Sequence, residues 1–333
     1  MKRLFLTVAL LLACVYMLPV FTVGLESAGQ ADDGTSGGES PSAGGDFDQS
    51  TVITLCDGGE VKELKLCDYL KGVLAAEMPA SFPIEALKAQ AVAARTYTLY
   101  QLSLYDSGME APESHNGAQL CSDYTHCKAY RDVDAQKESL WGSDADFYYD
   151  KIKSAVDDTS GIIATYKGEP IAAVFHAASS EMTESSLSVW GTEMPYLVSV
   201  ESPGGEESPK YNGTVEISAE DFKSKMLESY PEMDFSQTPD KWFKASQRSE
   251  AGGVETVAVG GVRVSGVWLR QQLGLNSTNF TYEVSGDTLR FQTKGYGHGV
   301  GMSQYGAKAL AEQGKTYDEI IKWYYTGVDL TIK

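Results

Sequence analysis

The sequence predicts a mixed α+β fold of helices and short antiparallel strands, and three observations carry that prediction. Short stretches of alternating apolar and polar residues are interspersed irregularly with helical stretches, and no internal repeat is present. At 333 residues with 42% hydrophobic content and only 11 prolines, the chain can build one large or two modest cores. Turn and cap signals also cut most of it into short elements.

In order, the N-terminal MKRLFLTVALLLACVYMLPVFTVGLES holds an apolar run from Leu4 to about Leu25, long enough to cross roughly 30 Å of hydrocarbon as a helix. Lys2 and Arg3 precede it, while Glu26, Asp32 and Asp33 follow. This asymmetry predicts a single-pass anchor over residues 1–25, with the N-terminus cytoplasmic and the remainder extracytoplasmic. A cleaved leader would have a shorter apolar core, and a lipoprotein would turn polar after Cys14. Residues 26–50 are dominated by Gly, Ser, Ala and Asp and read as a flexible linker. The folded domain is then expected over residues 51–333.

VITLC, DGGE and VKELKL read as a hairpin. A short helix follows from Asp68 and stops before Pro79, because the residue preceding a proline is pushed out of the α region. Pro83 opens a second helix, IEALKAQAVAARTYTLYQLSLY, so two helices meet at a Pro-rich corner. Residues 106–130 read as a long loop, followed by a helix near 147–157. GIIATYKGEPIAAVFHAASS reads as a hairpin turning at Lys167 to Pro170, with His176 ending its second strand. The strands VETVAV, FTYEV and TLRFQT come next. In KGYGHGVGMSQYGAKALAEQG, Ser303 caps a helix that Gly314 ends, and Thr316 with Glu319 forms a capping box for the last helix.

The net charge of -19 argues against nucleic acid or an anionic surface as a partner, so an acidic ligand has to be met by a local site. Chemistry-bearing residues cluster in SHNGAQLCSDYTHCKAY, which holds two of the four histidines and two of the five cysteines. His115, Cys121, His126 and Cys127 form the Cys₂His₂ donor set of tetrahedral zinc. Their spacing matches no standard finger. The rival is a Cys121–Cys127 disulfide, which leaves the histidines unexplained. Cys56 and Cys67 are kept apart, because a hairpin turning at Gly58-Gly59 sets Cys67 opposite Ser50. Four protein ligands close the shell, so zinc here is expected to be structural and to pin the long loop.

LAAEMPASFPIEALKAQAVAARTY and YGHGVGMSQYGA, with HAASSEMT as a weaker third motif, resemble the stage II sporulation protein D family from about Val52 to the C-terminus. These are membrane-anchored peptidoglycan-cleaving proteins of spore-forming bacteria, and their domain also occurs in amidase enhancers. Members commonly carry two glycines where this chain has Ser180 and Glu181. The resemblance implies two lobes around a glycan-binding cleft and lytic transglycosylase activity during engulfment. In that reaction the β-1,4 bond between N-acetylmuramic acid and N-acetylglucosamine is cut and a 1,6-anhydro end is left. It further implies glycan strands stripped of stem peptides as substrate, a cell-wall amidase and a membrane partner of an engulfment complex as partners, and the mother-cell membrane as location.

Glu77 takes the catalytic acid role on this resemblance. Its place in the last turn of its helix, among Leu74, Ala75, Ala76, Met78 and Pro79, should raise its pKa by dipole and burial. The alternative is a solvated glutamate at a helix end. Arg95 is expected to contact the acidic lactyl group of muramic acid or to orient the site, against a reading as an exposed helix residue. Gln90, His176, Ser179, Tyr296, His298, Gln304 and Tyr305 are the remaining substrate-binding candidates. Glycines at 295, 297, 299 and 301 surround His298 and fit either close approach of a ligand or a tight turn holding a satisfied histidine. Two other functions stay open: a non-catalytic glycan-binding enhancer of an amidase, and a zinc-dependent hydrolase, which would need an open coordination position.

Overall fold

A computed structural model describes residues 46–333, so the expected anchor and the linker up to residue 45 lie outside the described residues. No helix among the described residues is long and apolar enough to cross a membrane. Order begins earlier than the linker reading placed it. Phe47–Ser50 forms one helical turn (α1) whose Asp48 is buried.

Strands β1 (Val52–Asp57) and β2 (Glu60–Lys65) pair antiparallel across Gly58-Gly59, both at positive φ as a two-residue hairpin turn demands. Helix α2 (Leu66–Glu77) ends where predicted, with Met78 extended ahead of Pro79. Pro83 sits at the cap of the long helix α3 (Ile84–Asp106), whose residues from Ala86 to Thr98 are nearly all buried. Its alanines let neighbours approach closely. Around it pack α2, α5 (Ala145–Asp157, after α4, Val133–Trp141), strand β4 (Ile162–Tyr166) and the C-terminal helices.

The long loop between α3 and α4 is tied down by β3 (Leu120–Cys121), which pairs parallel to β1. The expected hairpin after β4 forms only its turn and a stub, β5 (Glu169–Pro170). Residues 171–174 leave the sheet, β4 pairs instead with the terminal β14 (Asp329–Ile332), and β6 (Phe175–His176) pairs parallel with β13 (Met302–Ser303). A short helix, α6 (Ser186–Trp190), follows β6. Residues 212–294 then build a second hydrophobic cluster around Phe222, Phe243 and Phe291, separate from the main core. Its strands are β7 (Asn212–Ser218), β8 (Phe243–Arg248), β9 (Val254–Val259), β10 (Val262–Ser265), β11 (Phe280–Ser285) and β12 (Thr288–Lys294), arranged in the sheets β10-β9-β8 and β11-β12-β7, with α7 (Ala219–Ser229) and α8 (Gly266–Leu273). The chain returns to the main body through β13, α9 (Gln304–Glu312) and α10 (Tyr317–Tyr324), the last opened by the predicted Thr316/Glu319 capping box.

Arg95 corrects an expectation. It is fully buried, its Nε and Nη2 donate to both oxygens of Asp48 (2.9 and 2.6 Å), and Nη1 donates to the Ile162 carbonyl (3.1 Å). A guanidinium saturated inside the core cannot reach a substrate. Gln90 is likewise 0% exposed, with an amide that makes no hydrogen bond within the protein, so it does not line a surface. Breaking a buried ion pair from one side leaves an uncompensated charge, typically at about 3–5 kcal/mol. Asp48→Ala should therefore lower unfolding free energy by that order in chemical denaturation of the purified protein.

Candidate active site

Glu77 is the last residue of α2, and two segments distant in sequence converge on its carboxyl group. The Ala129 N–H donates to Oε1 (3.1 Å), and the Gln304 Nε2–H donates to Oε2 at a longer 3.4 Å. Burial pushes the Glu77 carboxyl above the usual carboxylate range, while Lys128, Ala129 and Gln304 pull it back, and burial prevails. The chain segment carrying Ala129 lies directly on α2. The Arg131 N–H donates to the Gly72 carbonyl, and a Cβ at Gly72 would stand 2.3 Å from the Tyr130 ring. Glycine inside a helix costs about 1 kcal/mol relative to alanine. Here it permits this close approach.

That segment leaves the predicted donor cluster, which does converge. His115, Cys121, His126 and Cys127 place their ligand atoms within 4.8 Å of one another. His115 Nε2 is 3.4 Å from Cys127 Sγ, and His126 Nε2 is 3.7 Å from Cys121 Sγ. Ligands about 2.0–2.3 Å from one tetrahedral ion sit roughly 3.3–3.8 Å apart, so these two pairs stand at that spacing and the four residues could hold a metal. His115 Nδ1–H donates to the Ala118 carbonyl (3.3 Å), which leaves Nε2 free to ligate. Burial pushes the Cys127 thiol up to about 12, Cys121 upward and His115 downward, so without a cation these three side chains are held toward their neutral forms. Two thiolates would balance the charge of a divalent ion. All four described cysteines are free thiols, with no disulfide among them.

Lys128 is a residue that sequence reasoning missed. Its ammonium stands 3.8 Å from the centre of the Tyr97 ring and 4.2 Å from that of Phe175, rings supplied by α3 and β6. Burial lowers it to about 8, with Glu77 and Cys127 acting in the opposite direction. The only signal in the sequence was its position directly after Cys127.

The histidine and glycine motifs serve the scaffold. His176 is buried; Nδ1–H donates to the Val300 carbonyl (3.1 Å), and Nε2 accepts from the buried Ser179 hydroxyl (2.7 Å). Burial holds its imidazole neutral, near 4. His298 donates from Nε2 to the Phe175 carbonyl (3.0 Å) and accepts the Val300 N–H at Nδ1 (3.1 Å). Both nitrogens of both rings are thus engaged within the protein, the Ser179 hydroxyl is spent on His176, and the glycines around His298 form a tight turn about a satisfied ring. Gly301 is required by space as well as by φ, because a Cβ there would meet the Val174 carbonyl at 2.2 Å. Ser180 and Glu181 need no positive φ. Tyr296 turns its hydroxyl to Lys210 (3.4 Å), whereas Tyr305 meets Phe82 edge-on at the proline corner beside Glu77. The crevice between the main body and residues 212–294 is lined by Ser179, Glu184, His298, Thr278 and Lys294, and Glu77 is not among its lining residues.

A carboxyl group framed by a helix end, a metal-type loop and a third helix defines a class, that of the family model described as stage II sporulation protein. That model matches residues 57–166, which contain Glu77 and all four donors. Stage II sporulation protein D of Bacillus subtilis is 39% identical over 271 residues, covering 81% of this chain and 76% of the relative. The protein of the same name from Bacillus amyloliquefaciens is 39% identical over 282 residues, covering 85% and 78%. An amidase enhancer of Bacillus subtilis is 30% identical over 313 residues, covering 79% of this chain and 40% of the relative. The chain belongs to the stage II sporulation protein D family.

The raised carboxyl has a measurable consequence. A folded state that holds the Glu77 proton more tightly than the unfolded chain loses stability as pH rises from the unfolded carboxyl value through the folded one. Glu77→Gln removes that loss. Denaturant titrations should find the variant gaining on the wild type across this window, with the difference constant above it and absent at lower pH.

Proposed function

We propose that this chain is a peptidoglycan lytic transglycosylase acting in sporulation, with Glu77 as its single acid and base. The observation that carries the reading is the company Glu77 keeps. The groups that act on its protonation are Lys128, Ala129 and Gln304, and none is a carboxylate. Ordinary glycosidases need two carboxyl groups, one for the leaving oxygen and one for water or for the anomeric carbon. A lytic transglycosylase needs one, because the muramic C6 hydroxyl attacks the anomeric carbon from within the sugar. Glu77, protonated on the weakly bonded Oε2, gives its proton to the glycosidic oxygen and then takes the proton of the C6 hydroxyl. Oε1 stays held by Ala129 throughout.

The metal we propose at His115, Cys121, His126 and Cys127 is zinc. With four protein ligands its shell is closed, so it supplies loop closure and no chemistry to the sugar. What it fixes is the exit of the loop, hence the Ala129 N–H and the Lys128 side chain. The amidase enhancer among the relatives supports a working relationship with a cell-wall amidase, one that strips stem peptides before the strand is cut. The same proposal places residues 1–25 as an anchor in the mother-cell membrane and the domain outside the cytoplasm, within an engulfment complex.

Mass spectrometry of glycan strands incubated with the protein tests the activity. Anhydro-muramic ends are expected; reducing ends indicate a hydrolase, and intact strands indicate the amidase-enhancer reading. Glu77→Gln should lose at least about 10²-fold in rate. Elemental analysis should find one zinc per chain, and chelation should lower the melting temperature along with activity.

A further inference from the structure

Lys128 is a cation that makes no ion pair at contact distance, although the Glu77 carboxyl is near enough to act on it electrostatically. Three other partly buried lysines sit between carboxylates: Lys71 between Asp68 and Asp134, Lys88 between Glu85 and Asp158, Lys308 between Glu207 and Glu312, while Lys151 donates to the Ser81 and Phe82 carbonyls and Lys315 lies over the Trp323 ring. Among the described residues no carboxylate lies within ion-pairing distance of Lys128, which instead is clamped by the Tyr97 and Phe175 rings. Two aromatic faces fix where the ammonium stands and leave its hydrogen bonds unspent. Its backbone neighbour Ala129 bonds Glu77, so the cation is held one residue from the carboxyl group that touches the scissile bond. In a chain of net charge -19, an acidic ligand enters only where a local cation receives it.

We propose that Lys128 is a specificity residue that pairs with the lactyl carboxylate of the muramic ring being cut. This rests on the transglycosylase reading and names what the site requires of its substrate. The lactyl ether hangs from C3 of the ring whose C1 is attacked, so the carboxylate and the leaving oxygen lie within one sugar of each other. Lys128 and Glu77, near enough to influence each other electrostatically, would meet one ring together. A stem peptide converts the carboxylate into a neutral amide and removes the charge that Lys128 recognises. Arg95, the cation that the sequence offered for this contact, is locked in the core, and Lys128 takes its place.

The test compares stripped glycan strands with the same strands after methyl esterification of the lactyl carboxyls, using the full chain. A charge-assisted hydrogen bond corresponds to about tenfold to a hundredfold in affinity. Wild type should lose that factor on the ester, mainly in KM, and Lys128→Met should lose it on free-acid strands with no further loss on the ester. Lys128→Arg should keep the preference for the free acid. Binding measured with Glu77→Gln in place, with and without Lys128→Met, gives the same comparison without catalysis. Absence of cutting with ester-sensitive binding therefore overturns the activity but supports the recognition. Equal handling of both strands by the wild type overturns the proposal and needs no variant. So does an equal loss on both strands in Lys128→Met, the pattern expected if the lysine only tunes Glu77. Melting temperature and metal content of each variant report folding.

Discussion

A guanidinium cut off from water has to find every partner inside the protein, and this requirement organises the main body. Arg95 draws Asp48 in from the start of the described chain, the Ile162 carbonyl from β4 and the Val156 carbonyl from the end of α5. Each contact comes from a different element. The desolvation cost of the charges is large, so the pair specifies one arrangement more than it adds net stability. With α3 fixed along its length, Tyr97, two residues beyond Arg95, is fixed as well, and through it the loop that carries Lys128.

The site is assembled from parts that are individually unremarkable in sequence. Glu77 comes from a helix that a proline stops, Ala129 and Lys128 from the exit of the donor loop, and Gln304 from a helix capped by Ser303. Their meeting depends on β6 and β13, a two-residue parallel pairing of segments more than a hundred residues apart. The imidazoles of His176 and His298, read from the sequence as candidates for substrate binding, hold that junction through Val300 and Phe175 and so fasten the strands behind Glu77.

Local signals were legible where they are governed by backbone sterics. The Gly58-Gly59 turn, the stop before Pro79, the Ser303 cap and the Thr316/Glu319 box all sit where the residues place them. The donor set was legible too, because scarce residue types were concentrated in one loop and their side chains do converge. Pairings across long separations were not. Nothing in IAAVFH shows that β4 abandons its hairpin for the C-terminal strand, and several short elements of residues 212–294 lack the length to declare a period. Arg95 and Lys128 were illegible for a common reason: the sequence shows a charge but not its surroundings, which for Arg95 are a carboxylate and two carbonyls and for Lys128 two aromatic rings.

The contact at Gly72 sets the distance between α2 and the donor loop by the absence of one methyl group. Because the same strip of backbone also bonds Glu77, spacing at position 72 and acidity at position 77 are mechanically one variable. Tolerance to change therefore stops short of this helix turn. A sequence that drifts at the outer surface leaves this arrangement alone, whereas the smallest side chain added here shifts the Glu77 carboxyl while the hydrophobic interior stays whole.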